Sequence, residues 1–477
     1  MSGSELTMPV KLPPFEHQKR AFRFVLRLYG MEDGTVRSTG AALLMQMGTG
    51  KSFVSIAVAG WMFEHRKIKR LLIVCPLSIT GVWQDEFNKY AAFSFTLVVL
   101  AGTLAKKRKQ LTELPADGLQ VVVINYESAW RMEKELLAYH ADMIICDEGH
   151  KLKEGRTAQS KGMHHLGNHA AYRLLLTGTV ITNREIDVFS QYFFVEPEVF
   201  GRSFFAFRNK YFYMGGYGSH TPYFKKSMTD EFLRRMHSIA FRVRKDECLD
   251  LPDVTEEVRM VELEVEAAKL YAQIEEESYA EMKSSEVTAG NVLTRILRLS
   301  QITGGFLKDD DGNVTQVSHA KLDALSDIID SLMEEDEKLV IMGRFVAELD
   351  AIEEMLKKKK IGYAVVRGGI ADRSDQVSRF QNSPDCRVFV GQLQAAGMGI
   401  TLTAASTMVF YSLDYSMANF DQAKSRTHRM GQKNRCLYIY LTARNTIDGK
   451  VLRALKEKQD LARLLVDDYR AGRHPFK

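Results

Sequence analysis

The sequence lacks the features that hold a chain in a membrane or cross-link it through cysteine. Its 477 residues include five cysteines, and neighbouring cysteines are at least fifty residues apart, so no CxxC pair is available for zinc or redox chemistry. No apolar run approaches the ~18 residues that a bilayer span needs, and residues 1–14 lack the layout of a secretory signal. These absences predict an intracellular protein without a membrane partner, cytoplasmic in a bacterium and nuclear in a eukaryote.

An excess of charge of one sign is also lacking. The 65 Lys and Arg residues are nearly balanced by 60 Asp and Glu residues, which leaves a formal net charge of +5. That surplus is compatible with a neutral enzyme, so the total charge does not identify a nucleic-acid-binding protein. Hydrophobic residues make up 45% of the chain, which excludes wholesale disorder. The length suffices for roughly two to four domains.

Short apolar runs alternate with helix-like segments along the chain. The apolar runs fit parallel strands that are buried on both faces, and the helical stretches fit the crossovers of βαβ units. The sequence therefore predicts an α/β fold with two doubly wound lobes. The predicted strands are Ala41–Met45, Leu71–Cys75, Val121–Ile124, Met143–Cys146 and Arg173–Leu176, then Lys338–Met342, Tyr363–Val366, Arg387–Val390, Thr407–Tyr411 and Leu437–Leu441.

A connector near residue 250 predicts the main domain boundary. Pro252 biases its predecessor away from helix and interrupts regular structure. The first domain is predicted at residues 1–248, with an aromatic-rich helical protrusion at about 198–245. The second is predicted at residues 249–477, with a helical insertion at about 265–305.

A phosphate-binding loop is predicted between the first strand and the following helix. Small residues there let main-chain N–H groups converge on a phosphate at the helix N-terminus. Lys51 would add a positive charge to the β and γ oxygens, and the Ser52 hydroxyl would bind Mg²⁺. The pattern predicts ATP and Mg²⁺ as cofactors, with Lys51 also acting in catalysis. The predicted nucleotide contacts are Met47, Gly48, Thr49, Gly50, Lys51 and Ser52.

Two adjacent carboxylates, Asp147 and Glu148, follow the apolar run Met143–Cys146. A lone acidic pair is usually a solvated turn, but the preceding strand and the upstream phosphate loop favour a catalytic pair. The carboxyl ends of parallel strands are where α/β sites form. Asp147 is predicted to hold Mg²⁺, and Glu148 is predicted to accept a proton from the water that attacks the γ-phosphate.

With these two motifs in place, further segments of the first lobe resemble helicase superfamily two. Asp147 and Glu148 begin a segment that looks like its DEAH-type box, and Gln18 lies in a segment similar to the Q motif, whose glutamine reads adenine. Cys75–Ser78 followed by Trp83–Glu86 resembles motif Ia, and Asn125–Glu127 resembles motif Ib. Leu176–Asn183 is similar to the LTGTPIQN motif, with Val180 and Thr182 as departures.

Two segments of the second lobe narrow the resemblance to the Swi/Snf-type ATPases. Gly397–Leu402 is similar to motif V, and the resemblance assigns its Gly399 to nucleotide binding. Gln422–Gln432 is similar to motif VI, including a trailing Gly-Gln that most other branches lack. Arg426 and Arg429 lie three apart, which predicts one helix face. The resemblance makes them arginine fingers for the γ-phosphate, and the alternative is an ordinary exposed basic helix face.

The resemblance covers residues 14–454 and implies two RecA-like lobes with helical insertions. It also implies a DNA-dependent ATPase that moves along double-stranded DNA without strand separation. In motif I, Met45 and Gln46 stand where this family usually has Asp-Glu. Contacts to DNA phosphates would make binding salt-dependent and independent of sequence. The implied DNA contacts are Ser78, Asn125, Arg344, Gln392 and Thr401.

Some features of the sequence allow a second interpretation. The basic runs at 106–109 and 357–360 either touch phosphates or form solvated faces. The aromatic stretch Phe204–Tyr213 either stacks on bases or packs the protrusion. Instead of working alone, the chain can be a motor subunit for a partner nuclease or methyltransferase in a defence or repair complex. The remaining alternatives are a strand-separating or annealing helicase and a binding protein that uses ATP as a conformational ligand.

Overall fold

The computed structural model describes residues 6–115, 117–178, 185–215, 221–248, 251–284, 289–308, 312–369, 372–396, 400–429 and 431–457, with residues 461 and 465. The chain divides into two compact units, Met1–Asp250 and Leu251–Lys477. In the described residues, no helix is both long and apolar enough to cross a bilayer.

The first unit is built on a seven-stranded sheet in which all pairings are parallel. Its strand order is β3-β4-β2-β5-β6-β1-β9. The five runs predicted as strands in this lobe are confirmed, and their side chains are almost entirely buried because helices cover both faces. The strands of this unit are β1 (Gly40–Met45), β2 (Arg70–Cys75), β3 (Phe95–Val99), β4 (Leu119–Asn125), β5 (Met143–Asp147), β6 (Tyr172–Thr177), β7 (Phe212–Gly215), β8 (Thr221–Phe224) and β9 (Ala240–Val243).

Helices supply the crossovers between these parallel strands. Because every strand of the sheet runs the same way, the carboxyl ends of all seven strands lie at one edge. The helices of the first unit are α1 (Glu16–Leu28), α2 (Lys51–Glu64), α3 (Thr80–Tyr90), α4 (Leu104–Thr112), α5 (Tyr126–Ala129), α6 (Glu133–Tyr139), α7 (Ala158–His169), α8 (Val188–Val195), α9 (Phe204–Tyr211), α10 (Thr229–His237) and α11 (Lys245–Cys248).

The segment predicted as a helical protrusion at 198–245 is only partly helical. Between α9 and α10 the chain forms the antiparallel hairpin β7–β8, and after α10 the strand β9 joins the main sheet beside β1. Aromatic residues are common in strands as well as in packed cores, so the composition of this segment does not distinguish a β-hairpin from a helix. The name "protrusion" is used below for residues 198–215 and 221–238.

The second unit holds a six-stranded parallel sheet in the order β10-β17-β16-β13-β15-β14. The five strands predicted here are confirmed. Its edge strand β10 was not predicted, because it lies on the surface and its side chains are mostly exposed. The elements are β10 (Val254–Val261), α12 (Val265–Ser284), α13 (Ala289–Thr303), β11 (Phe306–Lys308), β12 (Val314–Gln316), α14 (Ala320–Glu334), β13 (Leu339–Gly343), α15 (Val346–Lys358), β14 (Tyr363–Val366), α16 (Arg373–Asn382), β15 (Val388–Gln392), α17 (Leu393–Ala396), β16 (Thr407–Phe410), α18 (Met417–Thr427), β17 (Cys436–Ala443) and α19 (Ile447–Lys456).

A buried carboxyl group, Glu348 on α15, lies at the carboxyl end of the second sheet. Its Oε2 accepts hydrogen bonds from the Ser412 hydroxyl at 2.5 Å and from the Arg344 and Phe345 amides at 3.1 Å each. Its Oε1 is buried without a hydrogen-bond partner among the described atoms. Burial raises the pKa of Glu348 to about 7 against these hydrogen bonds and the nearby charge of Lys321.

We expect Glu348→Gln to become more stable relative to the wild type as the pH rises. The pKa of Glu348 is higher in the folded than in the unfolded chain. The free energy of unfolding of the wild type therefore falls by about 3 kcal/mol in total as the pH rises from below 4.5 to about 7. Glutamine keeps the shape and does not titrate. Urea denaturation at pH 5 and pH 8.5 measures the difference. Glu354→Gln, at an exposed site on the same helix, should leave the pH profile unchanged; an equal gain in both variants would contradict the assignment.

Candidate functional site

The predicted phosphate loop connects β1 to α2 at the carboxyl edge of the first sheet. Gly48 and Gly50 have φ values of 83° and 93°, in the left-handed region that glycine enters without steric cost. A Cβ at position 50 would lie 2.2 Å from Gln18 Nε2. The positive φ therefore favours glycine at position 50, and a larger residue would also displace the Gln18 side chain.

The loop is closed by its own hydrogen bonds. The Thr49 amide and hydroxyl both donate to the Gln46 carbonyl, at 3.3 and 2.7 Å. Lys51 is the first residue of α2, and its Nζ donates to the Met45 carbonyl at 3.0 Å. An ammonium group and a helix N-terminus thus coincide, which is the combination that binds a phosphate. The main-chain carbonyls of Met45 and Gln46 accept these hydrogen bonds from Lys51 and Thr49. The loop therefore keeps its shape without the acidic side chains that the family usually has at positions 45 and 46.

Gln18 lies on α1 and supports the phosphate loop. Its side chain is 2% exposed; Oε1 accepts from the Phe15 amide at 3.0 Å, and Nε2 donates to the Thr49 carbonyl at 3.3 Å. His17 Nε2 donates to the same carbonyl at 2.8 Å. The reading of adenine by Gln18 stays a prediction, and the structure adds a direct contact between Gln18 and the loop.

The acidic pair lies on the same sheet edge as the phosphate loop. Asp147 ends β5 and pairs with Leu176 of β6, and β6 in turn pairs with β1. Asp147 is buried, and its main-chain carbonyl accepts from the Tyr126 hydroxyl at 2.9 Å. One strand, β6, therefore separates the strand that carries the acids from the strand that carries the loop.

Burial is the main influence on the Asp147 carboxyl group. Burial first, and the charge of Glu148 second, raise the pKa of Asp147 to about 7. The positive charge of Lys51 and hydrogen bonds from the Glu148 amide and the Trp83 side chain oppose the rise. Trp83 was matched to motif Ia only, and its contact with Asp147 was not predicted. The site is therefore short of positive charge, which a bound cation would supply.

Glu148 is held by a strained turn that needs its neighbour to be glycine. Its φ is +52°, and a Cβ at Gly149 would lie 2.3 Å from Leu175 Cδ1. Such backbone strain is found at functional sites that the surrounding packing holds in place. The Glu148 carboxylate, whose side chain is 15% exposed, lies 3.3 Å from His150 Nδ1. It is thus partly open to solvent at the end of β5, as a group that activates water must be.

The oxygen ligands here fit Mg²⁺ that arrives with a nucleotide. Within the described ranges, no three His, Cys, Asp or Glu side chains gather as a metal site. Mg²⁺ needs fewer protein ligands, because it keeps waters and takes phosphate oxygens. The Asp147 carboxylate and the Ser52 hydroxyl at the start of α2 are hard oxygen donors of the required type.

The prediction that Arg426 and Arg429 share one helix face is wrong, because the helix ends between them. Arg426 is buried in the last turn of α18, which ends at Thr427, and Arg429 follows the helix. The backbone leaves the helix at His428, where ψ is 81°. Arg429 Nη1 donates to the Ile400 carbonyl at 3.3 Å, and the Leu402 amide donates to the Arg426 carbonyl at 2.9 Å. Both arginines are therefore tied to the segment that resembles motif V.

The side chain of Gln432, the glutamine of the trailing Gly-Gln pair, forms several hydrogen bonds with the main chain. Its Nε2 donates to the carbonyls of Ala405, Thr427 and Thr403 at 2.8, 3.3 and 3.4 Å. Its Oε1 accepts from the amides of Lys433 and Asn434. The side chain is buried, so it fastens the segment after α18 to the chain before β16. The motif VI pattern includes Gln432, but it gives no indication of these hydrogen bonds.

The predicted DNA contacts fall into different environments. The Asn125 side chain is buried; Oδ1 accepts from Lys107 Nζ at 2.9 Å, and Nδ2 donates to Glu127 at 2.7 Å. Arg344 lies with its guanidinium 3.9 Å from the centre of the Tyr415 ring. Gln392 joins the Arg344 carbonyl to the Gly368 amide. Thr401 is half-buried. The side chain of Ser78, all of Gly399 and residues 179–184 lie outside the described part of the chain.

A glycine-rich loop, its lysine and an acidic pair on one edge of a parallel sheet define a P-loop nucleoside triphosphatase. Comparison with known proteins makes the assignment specific. Residues 17–304 match the SNF2-related domain, and residues 320–431 match the helicase conserved C-terminal domain. The chain belongs to the SNF2-related family of ATP-dependent helicases, which confirms the resemblance, and it carries the two domains of a DNA-dependent ATPase.

Relatives come from bacteria and eukaryotes. An uncharacterized ATP-dependent helicase of Mycoplasma genitalium is 27% identical over 444 residues, which cover 90% of this chain and 40% of that protein. The DNA repair and recombination protein RAD54-like of Drosophila pseudoobscura pseudoobscura is 25% identical and covers 96% of this chain and 64% of its own length. Among eight such relatives, the chain spans 26% to 64% of the relative's length.

A solved structure, the SWI2/SNF2 ATPase core of Sulfolobus solfataricus in complex with dsDNA, is 23% identical. It covers 95% of this chain and 93% of that chain with a TM-score of 0.47.

Proposed function

We propose that this chain is an ATP-dependent translocase that moves along double-stranded DNA without separating the strands. The observation that carries the proposal is the ATP site of the first unit. Lys51 at the start of α2 and the acidic pair of the buried Asp147 and the partly exposed Glu148 lie on one sheet edge. Membership of the SNF2-related family supports DNA as the track on which the energy of hydrolysis is used.

Each residue of the site has a proposed part in hydrolysis. The loop Met47–Gly50 and Lys51 bind and orient the phosphates, and Glu148 takes the proton of the attacking water at its carboxylate. Asp147 and Ser52 would hold Mg²⁺, which neutralises charge on the β and γ oxygens when bound. Arg426 and Arg429 are proposed to stabilise the charge that develops on the γ-phosphate, and their match to motif VI supports this.

The DNA contacts are proposed to be made mainly to phosphates. Family membership and the names of relatives, which include a DNA repair and recombination protein, support DNA as the ligand. Phosphate contacts make binding strongly dependent on salt and independent of sequence. The proposed contacts are Ser78, Asn125, Arg344, Gln392 and Thr401.

Triplex displacement compared with unwinding of a forked duplex, on one preparation, tests the proposal. A translocase displaces the third strand in the presence of ATP and Mg²⁺ and leaves the forked duplex paired. Steady-state ATPase activity should rise strongly with duplex DNA and much less with single-stranded RNA. Unwinding without displacement would show a strand-separating helicase and would reject the proposal.

Lys107 is a positioning residue that the motifs did not indicate. It belongs to the basic run at 106–109, yet it is 4% exposed, and its Nζ donates to Asn125 Oδ1 and to the Ser128 hydroxyl at 2.6 Å. One residue of a basic run is thus internal and fixes the side chain at the end of β4. Its neighbour Lys106 is exposed to solvent, as residues in a run of charges usually are.

We expect Lys107→Met to raise the duplex DNA concentration that gives half-maximal ATPase activity by about tenfold, because Asn125 loses its hydrogen-bonded support. Lys106→Met removes the same charge from an exposed neighbouring site and should change this concentration by less than about threefold. DNA titrations of the ATPase rate at fixed salt measure both. Equal effects of the two substitutions would show that only net charge matters and would reject the positioning role.

A further inference from the structure

The aromatic residues of the protrusion are divided between a core and the surface. Phe207, Tyr211 and Phe232 are buried and contact one another at ring-centroid distances of 5.2 to 6.4 Å. Packing therefore accounts for these three. In contrast, Phe205 is 64% exposed and Tyr213 is 56% exposed. Large aromatic side chains at such exposure need a different explanation.

The outward face of the hairpin β7–β8 carries a flat aromatic pair. Tyr213 and Tyr223 are paired across the two strands, and their rings stack at 5.5 Å with an interplanar angle of 17°. The next pair, Phe212 and Phe224, contacts the buried core through Phe232 and Phe207. Because side chains alternate along a strand, Tyr213 and Tyr223 lie on the face away from that core.

A second exposed ring, Phe205 on α9, is associated with a cation. The Arg208 guanidinium carbon lies 4.2 Å from the centre of the Phe205 ring, which is the geometry of a cation–π contact. The ring and the planar guanidinium offer apolar area and positive charge at one place. Arginine–aromatic pairs of this kind bind the faces of nucleobases.

The protrusion, which carries these rings, has an excess of positive charge. Residues 198–238 contain seven Lys and Arg against three Asp and Glu, so this segment accounts for +4 of the formal net charge of +5. Its glutamates pair with Arg202, Lys210 and Arg235. Lys225 instead donates hydrogen bonds to main-chain carbonyls. These contacts do not neutralise its positive charge. The surface is therefore complementary to a polyanion.

We propose that the protrusion binds nucleic acid with unpaired bases, through stacking on Tyr213, Tyr223 and Phe205 and through its positive charge. In a duplex the base faces are stacked on one another, so exposed rings recognise bases only where strands are unpaired. The inference goes beyond translocation, because the duplex contacts proposed for translocation are made mainly to phosphates and not to base faces. A protein partner would also use exposed aromatic rings, but the surplus of four positive charges favours a nucleic acid.

The test uses the 477-residue chain and two DNA probes of equal duplex length, one blunt and one with a single-stranded extension that contains 2-aminopurine. The wild type should bind the extended probe more tightly and change the 2-aminopurine fluorescence. The double substitution Phe205→Leu with Tyr213→Leu removes the flat rings but keeps apolar volume, and it should weaken extended-probe binding by about tenfold. Phe205→Tyr with Tyr213→Phe keeps both rings and is the matched control.

Each outcome of this experiment decides the proposal. Blunt-duplex affinity and blunt-duplex stimulation of the ATPase rate should be the same in the wild type and both double variants, because they report on translocation rather than on the protrusion. Equal wild-type affinity for the two probes would overturn the inference, and so would equal losses in the leucine variant and the ring-retaining control. A leucine variant that binds both probes like the wild type would point to a protein partner and would likewise overturn it. If blunt duplex failed to stimulate the ATPase rate of the wild type, that result would count against the proposed translocation and not against base stacking by the protrusion.

Discussion

Replacing Glu148 with glutamine should leave ATP binding nearly unchanged and reduce DNA-stimulated turnover by about 10² to 10⁴-fold, the usual contribution of a general base. Glutamine has the same size and fits the same turn, in which Gly149 packs against Leu175. It cannot take a proton from water. Steady-state hydrolysis with saturating duplex DNA measures turnover, and equilibrium binding of a fluorescent ATP analogue measures affinity.

Two further substitutions make the Glu148 result specific. Glu154→Gln removes an exposed carboxylate six residues along the chain and should leave turnover within about twofold of the wild type. Glu148→Asp keeps a carboxylate but shortens it by one methylene, so it should retain more activity than the glutamine variant. Turnover of Glu148→Gln within tenfold of the wild type would contradict the assignment of Glu148 as the base.

The buried strands of both lobes were predictable because helices cover both faces of a parallel sheet. That environment leaves continuous apolar runs such as Leu71–Cys75 and Leu339–Gly343, which sequence reasoning detects directly. The edge strand Val254–Val261 has no such run, since most of its side chains are exposed. The hairpin Phe212–Phe224 was hidden for another reason: its aromatic residues fit a strand, a helix or a core equally well.

The candidate site was predictable where its residues are neighbours in sequence. Lys51 and Ser52 follow the glycines directly, and Asp147 precedes Glu148, so spacing alone indicates their chemistry. Supporting contacts come from distant positions and leave no local pattern. Trp83 reaches Asp147 and Gln18 reaches Thr49 only because the fold brings them together.

The same limit applies to the second unit. Three-residue spacing suggested that Arg426 and Arg429 share a helix face, but the helix ends between them. The end is fixed by Gln432, whose amide accepts and donates main-chain hydrogen bonds on both sides of the turn. A helix boundary that depends on a side chain several residues away is not visible in periodicity.

The Lys51→Ala substitution should weaken ATP binding by about 10² or more, because it removes the ammonium held at the start of α2. A second loss follows at Asp147. Lys51 lowers the pKa of that carboxyl group, which burial and Glu148 have raised to about 7. Without the lysine the pKa rises further, so more of the carboxyl is protonated at neutral pH and is a poorer Mg²⁺ ligand.

The residual ATP affinity of Lys51→Ala should therefore increase more steeply between pH 7 and pH 9 than that of the wild type. Raising the pH restores the carboxylate but not the ammonium, so recovery is partial. Lys67→Ala, an exposed lysine beyond the other end of α2, is the control and should match the wild type at every pH. Titration of a fluorescent ATP analogue with Mg²⁺ at four pH values separates the two losses. A Lys51→Ala profile parallel to that of the wild type would show that Lys51 acts on the phosphates alone.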